Sequence, residues 1–441
     1  MAEKVVTRFA PSPTGLLHGG NYRTAVFAYL FAKKSEGEFI VRIEDTDRER
    51  SKKEYEDNIW ETISWLGLLP DKKFRQSEHA GRHTELLEKL ISEGKAYLSK
   101  EEIKKEGDRD EVIRFKNPNK SVTFIDLVRG PITIDTTDLG DFIIARSMSE
   151  PVFHFAVVVD DADEGVTHVV RGEDHISNTP RQILIQEALG FNTPLYAHLP
   201  LVLDATHAKL SKRRGARALT DYKAEGYLPS AMINYLTLLG WHPEGEQEVF
   251  SVSELISLFS LERIQKSAGI FDDIKLKWFN QEHIKKLSDA DFFEHLSSFA
   301  VQAGQTLPSY ARELAPLLRE RSQTLKEALD ALSSDEYAFL VEEPIVNEGL
   351  LLKGAKAEKA AVSEYLSHAL KLLEQVEEWS MESVKEVVFP YATEVGRACV
   401  LWPMRVALSG KEKSPDPFTL CALLGKDRAL ARIKAALNMV Q

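Results

Sequence analysis

The chain has 441 residues, 43% of them hydrophobic, and a formal net charge of -12 at pH 7. This length exceeds that of one compact domain, so we expect several domains with separate hydrophobic cores. The negative charge taken alone disfavours a nucleic-acid partner, because Lys and Arg bind phosphates, but an average over the whole surface does not exclude a local basic face.

The sequence does not indicate segments for export or membrane insertion. The first residues lead into a strand-like run without the charged and apolar regions of a signal peptide, and no later run is long and apolar enough to span a bilayer. Cys399 and Cys421 lie outside any CxxC pattern, which excludes a disulfide scaffold and a cysteine-rich zinc site. We therefore expect a cytoplasmic protein that does not bind membranes.

Alternating short strands and helices in the first half predict an α/β fold with a largely parallel sheet. The first strand, Val5 to Phe9, leads through residues 8–21, RFAPSPTGLLHGGN, into a helix. Small residues in this turn let a ligand approach the backbone, the helix N-terminus offers N–H groups to an anion, and His18 adds a donor. The pattern fits a phosphate site, but by itself it fits a tight strand-to-helix turn equally well.

A second strand ends in residues 42–47, RIEDTD. This places three carboxylates at the C-terminal edge of the predicted sheet, which is the usual ligand crevice of such sheets. A carboxylate there could bind an ammonium group. Acidic residues after a strand are also common in ordinary loops, and the spacing does not decide between the two.

Two segments further along the chain complete the first half. Residues 117–141 are rich in Thr, Ile, Val, Gly and Pro and predict an inserted β-containing piece. Residues 209–215, KLSKRRG, fit a mobile loop that closes over polyphosphate, where lysines stabilise negative charge. A solvated surface loop is the ordinary alternative for such a run.

From about Ser251 onward, helix-period segments replace the strand signals, so the second half is predicted to be all-helical. Basic side chains recur near the C-terminus, among them Lys426, Arg428, Arg432 and Lys434. They could form a local basic face for nucleic acid, although an ordinary solvated helix has the same pattern.

In combination these motifs resemble the class I aminoacyl-tRNA synthetases, whose two signatures are written HIGH and KMSKS. Here the signatures read HGGN at residues 18–21 and KLSKR at 209–213. The motifs RFAPSPTG, RIEDTD, VRGEDH and NTPRQ are similar to those of the bacterial-type glutamyl-tRNA synthetases. The resemblance continues in the helical half with ALSG at 407–410 and LLGKDRAL at 423–430.

The resemblance implies a Rossmann-like α/β catalytic domain with an inserted acceptor-binding domain, followed by an all-α C-terminal anticodon-binding region. The family expectation is a monomer. The implied domains are 1–75 for the first half of the catalytic domain, 76–195 for the insertion, 196–245 for its second half, 246–306 for a stem-contact region and 307–441 for the anticodon-binding domain.

The resemblance also implies the reaction, which is ATP-dependent ligation of L-glutamate to tRNA(Glu) through a glutamyl-adenylate, with Mg2+ accompanying the ATP. The implied catalytic residues are His18, Lys209 and Lys212, which also bind ATP together with Gly20 and Asp174. The implied glutamate-binding residues are Arg8, Ser12, Glu44, Phe153 and Arg171. The implied tRNA-binding residues are Arg397, Arg405, Lys426, Arg428 and Arg432.

The chain departs from the family pattern at two places. Phe153 stands where relatives usually have tyrosine, so we expect only a pocket wall there and the loss of a hydrogen bond worth about 0.5 to 1.5 kcal/mol. Many bacterial relatives carry a zinc knuckle after the stretch that matches residues 94–97, but no cysteine occurs there in this chain. Because zinc needs thiolate or imidazole ligands in tetrahedral reach, we predict no zinc and no other dedicated metal site.

Three alternatives to this function remain. A full-length synthetase could glutamylate tRNA(Gln) for later amidation, in addition to tRNA(Glu) or instead of it, and this depends on contacts to anticodon bases that one sequence does not give. A truncated relative that glutamylates a modified tRNA base lacks the helical half, which this chain keeps. A non-catalytic tRNA-binding paralogue would be expected to lose His18, Lys209 or Lys212, and all three are present.

Overall fold

The computed structural model of the protein describes residues 4–102, 110–211, 214–355 and 357–441. The chain divides into two compact units, Met1–His283 and Ile284–Gln441, each of which is described by itself. Among the described residues, no helix combines the length and apolar character that crossing a membrane requires.

The N-terminal unit alternates strands and helices along most of its length. Its elements are β1 (Val6–Phe9), α1 (Gly19–Lys34), β2 (Glu38–Ile43), α2 (Lys53–Trp65), β3 (Lys72–Arg75), α3 (Ala80–Ser92), β4 (Ala96–Lys100), β5 (Glu111–Phe115), β6 (Ser121–Asp126), β7 (Gly130–Asp135), β8 (Phe142–Ser147), β9 (Glu150–Pro151), α4 (Phe153–Asp163), β10 (His168–Gly172), α5 (Thr179–Leu189), β11 (Leu195–Leu199), β12 (Val202–Leu203), α6 (Leu219–Ala224), α7 (Pro229–Leu238), α8 (Val252–Leu258), β13 (Gly269–Ile270) and α9 (Asp273–Lys286), the last of which ends beyond the division.

Seven strands form the main sheet in the order β3-β2-β1-β10-β11-β6-β7. All neighbouring pairs are parallel except β6 and β7, so the predicted α/β fold with a largely parallel sheet is confirmed. From β1 the chain continues to β2 and β3 on one side, whereas β10 and β11 lie on the other. The carboxyl ends of β1 and β10 therefore flank the point where the strand order changes direction, which is where open α/β sheets bind ligands.

The main sheet is covered by helices, as a parallel sheet requires. Helix α1 packs against β1 and β2, and its buried residues join a large apolar core together with residues of α7 and α8. Strand β2 is buried along nearly its whole length. Its apolar run is interrupted by Arg42, whose side chain is fully buried and whose partners decide the geometry of the site described below.

A second, antiparallel sheet has the order β4-β5-β8-β9, and an apolar core joins it to α3, α4 and α5. It falls inside the range 76–195 that the sequence predicts for the insertion. That range also contains β10, a strand at the centre of the main sheet. It also contains β6 and β7, which join the main sheet beside β11, so the bounds of the insertion stay a prediction.

The secondary structure of the C-terminal unit is helical in its described residues, in agreement with the predicted all-α region. Its helices are α10 (Asp289–Gln302), α11 (Ala311–Arg321), α12 (Leu325–Ser333), α13 (Glu348–Ala355), α14 (Lys359–Glu374), α15 (Met381–Val395), α16 (Arg397–Ser409) and α17 (Pro417–Val440). Helix α17 is kinked at Gly425, which has a φ of 74° that favours glycine.

Candidate active site

A cavity of about 460 Å³ opens at the carboxyl ends of β1 and β10. The structure brings to its lining nine residues that the sequence analysis assigns to ATP or glutamate: Arg8, Ser12, His18, Gly20, Glu44, Phe153, Arg171, Asp174 and Lys209. Lys212 lies outside the described residues, so its predicted role stays a prediction. Residues from distant parts of the sequence thus meet in one crevice.

His18 begins helix α1 as its N-cap. Its Nδ1 accepts a hydrogen bond from the main-chain N–H of Gly20 at 3.1 Å, and its own main-chain N–H donates to Oδ1 of Asn21 at 3.1 Å. A Cβ on Gly20 would lie 3.0 Å from Cε1 of the imidazole, so glycine leaves room for this ring position. Because Nδ1 accepts, a neutral ring carries its proton on Nε2, and a donor stands at the positive end of the helix.

Lys209 and Asp174 form an ion pair at the cavity wall, with Nζ 2.8 Å from Oδ2. Burial acts to raise the pKa of Asp174, but the hydrogen bond from Lys209 and nearby positive charge outweigh it and hold the pKa below the ordinary value. A Cβ on Gly172 would approach Oδ1 of Asp174 to 2.5 Å, so a larger residue at position 172 would displace this carboxylate. Both side chains of the pair are about half exposed, and an anionic ligand would compete with Asp174 for the lysine.

The three carboxylates of residues 42–47 have different surroundings. Asp45 accepts hydrogen bonds from Nη1 of Arg75 at 3.0 Å and from the main-chain N–H of Ser77 at 2.9 Å, which fixes the turn after β3. At the surface, Oδ2 of Asp47 lies 2.5 Å from Nη2 of Arg50. Of the three acids, Glu44 is the one that lines the cavity, and it is therefore the candidate partner of an ammonium group.

Arg8 is held from behind by a carboxylate. Its Nε donates to Oδ1 of Asp161 at 3.1 Å, and its Nη2 donates to Oδ2 at 3.3 Å. Both side chains are almost completely buried. The guanidinium therefore has a fixed direction, while its remaining edge contributes to the cavity wall.

The same Asp161 also binds Arg42, which connects it to Glu44. Nη2 of Arg42 lies 2.8 Å from Oδ1 of Asp161 and 3.1 Å from Oε1 of Glu44, and its Nη1 lies 2.6 Å from Oε2 of Glu164. Burial acts to lower the pKa of Arg42, but the surrounding carboxylates raise it well above the ordinary value. A buried guanidinium is tolerated only with such partners. Arg42 therefore connects Glu44, the acid that lines the cavity, to Asp161, which holds Arg8.

Asp160, the fourth carboxylate near Arg42, is oriented by a separate set of donors. Its Oδ1 lies 2.7 Å from Nε2 of His83 and 3.2 Å from Nδ1 of His79. Its Oδ2 accepts from Nε2 of Gln76 at 2.7 Å. These contacts join α3 and the preceding turn to α4, behind the cavity.

Glu164, like Glu44, is an acid beside Arg42 whose pKa is raised by burial. Burial raises its pKa to about 8, more than the nearby Arg42 lowers it. Its Oε1 is buried without a hydrogen-bond partner in the described structure. The Glu164 carboxyl is therefore mostly protonated at neutral pH, which limits the negative charge collected around the buried arginine.

Arg171 belongs to β10 and also lines the cavity. Its Nε donates to Nε2 of His198 at 3.1 Å, and its Nη2 donates to Oγ1 of Thr179 at 2.8 Å. The guanidinium carbon lies 5.1 Å from the centre of the Tyr196 ring, within cation–π distance. Burial lowers the pKa of Arg171 to about 10, so the side chain remains cationic at neutral pH.

The rings of Phe153 and His175 also line the cavity, and His154 lies beside Phe153. Phe153 is 36% exposed and its ring centre lies 5.5 Å from that of His175. Burial lowers the pKa of His175 to about 4, and that of His154 likewise to about 4. Both imidazoles are therefore neutral near pH 7, and the position of Phe153 fits the wall role that the sequence predicts.

Sequence reasoning missed the residues behind the arginines. Asp161 and Glu164 follow an apolar helical run, and acids at the end of such a run are the signal that could have been used. His198 stands in the apolar strand β11, where a histidine looks like an ordinary core residue. His175 lies within the motif VRGEDH, but nothing in its spacing indicates a neutral ring in the cavity.

The basic residues predicted to contact tRNA have unequal surroundings in the C-terminal unit. Arg397 is exposed, with its guanidinium carbon 4.7 Å from the Phe389 ring centre. Arg405 donates to the main-chain oxygen of Glu412 at 2.7 Å, and Lys426 to that of Val376 at 2.6 Å. These side chains are partly committed to their own unit but reach its surface.

Arg428 and Arg432 both bind main-chain oxygens of this unit. Arg428 donates to Leu340 at 2.6 Å and is exposed. Arg432 is only 5% exposed and donates to the main-chain oxygens of Leu408 at 2.8 Å and Glu342 at 2.9 Å. The structure therefore contradicts a tRNA contact for Arg432, because its guanidinium joins chain segments inside the unit.

Within the part of the chain that the structure describes, no group of three or more His, Cys, Asp or Glu side chains could hold a metal ion. The segment in which relatives carry a zinc knuckle includes residues 103–109, which lie outside the described part. The predicted absence of zinc therefore stays a prediction.

Comparison with protein families identifies the class to which this fold and cavity belong. The model "tRNA synthetases class I (E and Q), catalytic domain" matches residues 4–110 and 98–278, and "Anticodon binding domain" matches 291–437. The chain is therefore a class I tRNA synthetase. Within that class, it belongs to the glutamate–tRNA ligase family, because full-length relatives with that name are about 40% identical.

Among these relatives, glutamate–tRNA ligase of Aquifex aeolicus is 41% identical over 99% of each chain. Glutamate–tRNA ligase 1 of Syntrophus aciditrophicus is 39% identical over 100% of this chain and 98% of its own. A crystal structure of a glutamate tRNA ligase from Elizabethkingia meningosepticum in complex with its amino acid is similar with a TM-score of 0.82, at 28% identity and over 100% of both chains.

The raised pKa of Glu164 predicts a pH dependence of stability. The unfolded carboxyl ionises near its ordinary pKa of 4.5, whereas the folded one keeps its proton up to about 8. The folded state thus binds more protons between these values, and its stability falls as pH rises through this window. A glutamine side chain cannot ionise. The free energy of unfolding of Glu164→Gln, relative to that of wild type, should therefore rise by about 2 kcal/mol from pH 5.5 to pH 7.5.

Urea denaturation of the full-length protein at both pH values measures this difference. Glu246→Gln, at an exposed position in the same unit, serves as the control and should show no such gain. A difference between Glu164→Gln and wild type that stays constant or shrinks with rising pH would show that Glu164 is ionised in the folded protein.

Proposed function

We propose that the protein ligates L-glutamate to the 3′ end of tRNA through a glutamyl-adenylate, using ATP. The observation that carries this proposal is the composition of the cavity. One part combines a helix N-terminus, His18 and Lys209, which suits a nucleoside triphosphate, and the other combines two arginines with one carboxylate.

The second part of the cavity matches glutamate group by group. The substrate has two carboxylates and one ammonium, and Arg8, Arg171 and Glu44 offer two guanidinium groups and one carboxyl group. Burial strengthens each of these pairings, because the local dielectric is lower than that of water. Glutamine lacks one carboxylate and would leave one arginine without its ionic partner, which disfavours it as a substrate.

The proposed chemistry is the two-step reaction that the resemblance to the synthetases implies. The α-carboxylate of glutamate attacks the α-phosphorus of ATP, pyrophosphate leaves, and a ribose hydroxyl of the tRNA then attacks the acyl carbon and releases AMP. No protein side chain forms a covalent bond in either step, so catalysis consists of positioning and charge stabilisation. Nε2–H of His18 and Nζ of Lys209 are donors for the phosphates, and Lys212 is proposed to join them.

ATP is proposed to act as its Mg2+ complex, since its phosphates carry most of the ligands that Mg2+ needs and few must come from the protein. The C-terminal unit is proposed to bind the tRNA, with Arg397, Arg405, Lys426 and Arg428 as the candidates that reach its surface. Charging of tRNA(Gln), a monomeric state and a cytoplasmic location stay predictions.

Glutamylation of separately prepared tRNA(Glu) and tRNA(Gln) by the purified protein tests the function, with kcat/KM as the readout. We expect ATP-dependent charging of tRNA(Glu) with L-glutamate and none with L-glutamine. If tRNA(Gln) is charged with glutamate as well, the protein would also be a partner of an amidation pathway. If neither tRNA is charged, the proposed function is wrong and the non-catalytic alternative gains support.

Arg171→Ala tests the assignment of the amino-acid pocket. Loss of a buried cation from a carboxylate site should raise the glutamate KM about tenfold or more and change the ATP KM far less. The exposed Arg146→Ala, in the same unit, is the matched control and should leave both constants near wild type. Equal increases in both constants for Arg171→Ala would remove this residue from the glutamate pocket.

A further inference from the structure

A buried relay of three side chains leads from β6 to the cavity. Oδ2 of Asp126 lies 2.6 Å from Nδ1 of His198, and Nε2 of His198 accepts from Nε of Arg171 at 3.1 Å. His198 is 0% exposed and Asp126 is 2% exposed. The relay thus crosses three neighbouring strands of the main sheet, β6, β11 and β10, inside the protein.

The direction of each hydrogen bond in this relay is determined. Burial acts to raise the pKa of Asp126, but the bond from His198 and two main-chain N–H groups outweigh it, so the carboxylate is ionised and accepts. The proton of the imidazole must then lie on Nδ1. Burial lowers the pKa of His198, although Asp126 opposes this, so the ring is neutral and its Nε2 lone pair faces the guanidinium.

The far end of the relay is fixed to the backbone. Oδ1 of Asp126 accepts from the main-chain N–H of Val128 at 3.0 Å and of Arg129 at 2.7 Å. Its Oδ2 also accepts from the main-chain N–H of His198 at 3.1 Å. Asp126 therefore has little freedom to turn, and the imidazole that it holds inherits this rigidity.

The near end of the relay selects which edge of Arg171 is available. His198 occupies Nε and Thr179 occupies Nη2. Arg171 lines the cavity, and within the described residues no hydrogen bond is made by Nη1, so Nη1 is the nitrogen available to a ligand. We propose that His198, held by Asp126 as its Nδ1–H tautomer, is a positioning residue that aims Arg171 at a carboxylate of the amino-acid substrate.

This inference rests on the proposed function, in which Arg171 binds glutamate. Its alternative is that His198 only fills space in the core beside Tyr196, whose ring is nearly parallel to it with centres 5.8 Å apart. The two roles respond oppositely to two substitutions. His198→Phe keeps an aromatic ring but removes the acceptor, whereas His198→Gln loses the ring but can place an amide oxygen near the position of Nε2.

The experiment compares these two full-length variants with wild type in tRNA glutamylation, with glutamate and ATP varied separately. We expect His198→Phe to raise the glutamate KM about tenfold or more with little change in the ATP KM. His198→Gln should recover most of this loss. His283→Gln, which replaces another buried histidine outside the cavity lining, is the control for burying a glutamine and should keep the wild-type glutamate KM.

The positioning role would be overturned if His198→Phe had the wild-type glutamate KM, or a lower glutamate KM than His198→Gln. Either result would leave the proposed function intact. A wild-type protein that does not glutamylate tRNA would instead overturn both. If His198→Phe does not fold, the 15N shifts of the wild-type His198 ring decide, with His198→Gln used for assignment. An Nδ1–H tautomer is expected, and an Nε2–H or doubly protonated ring would contradict the proposal.

Discussion

The burial of the Arg42 guanidinium among carboxylates is the interaction on which the rest of the site depends. A charge at 0% exposure is stable only when paired, and removing one partner would leave an uncompensated charge in the core. Arg42 therefore dictates where Asp161 and Glu44 lie, and Asp161 in turn fixes Arg8. The amino-acid pocket is thus attached to a buried strand of the main sheet rather than to surface loops.

The two arginines of the pocket are supported in different ways. Arg8 is backed by an ionised carboxylate, which compensates its charge, whereas Arg171 is backed by a neutral imidazole and a hydroxyl, which orient it without compensating its charge. The pocket therefore contains one arginine with an internal counter-ion and one that awaits an anion. In both cases the guanidinium is ordered before substrate binds, which lowers the entropic cost of binding.

Much of the site could be predicted because its cavity-lining residues lie in long motifs at strand ends. His18, Glu44, Arg171 and Lys209 all line one cavity. The supporting residues could not be predicted in this way. Asp161 ends an apolar helical run, which is a weak signal, and His198 lies in an apolar strand whose pattern indicates only burial. The partners of both residues come from strands distant in sequence, so their roles depend on tertiary contacts. The bounds of the insertion are hard to predict for a similar reason, because the order of strands in a sheet depends on contacts between distant parts of the sequence.

The measurement that tests this account most directly is the glutamate KM of the full-length Arg42→Lys variant. A lysine keeps the positive charge but has no fork with which to bind three carboxyl groups at once. If Arg42 positions both Glu44 and Arg8, the glutamate KM should rise about tenfold or more while the ATP KM stays near wild type in the folded variant. An unchanged glutamate KM would contradict the account, since the pocket would then not depend on this buried guanidinium.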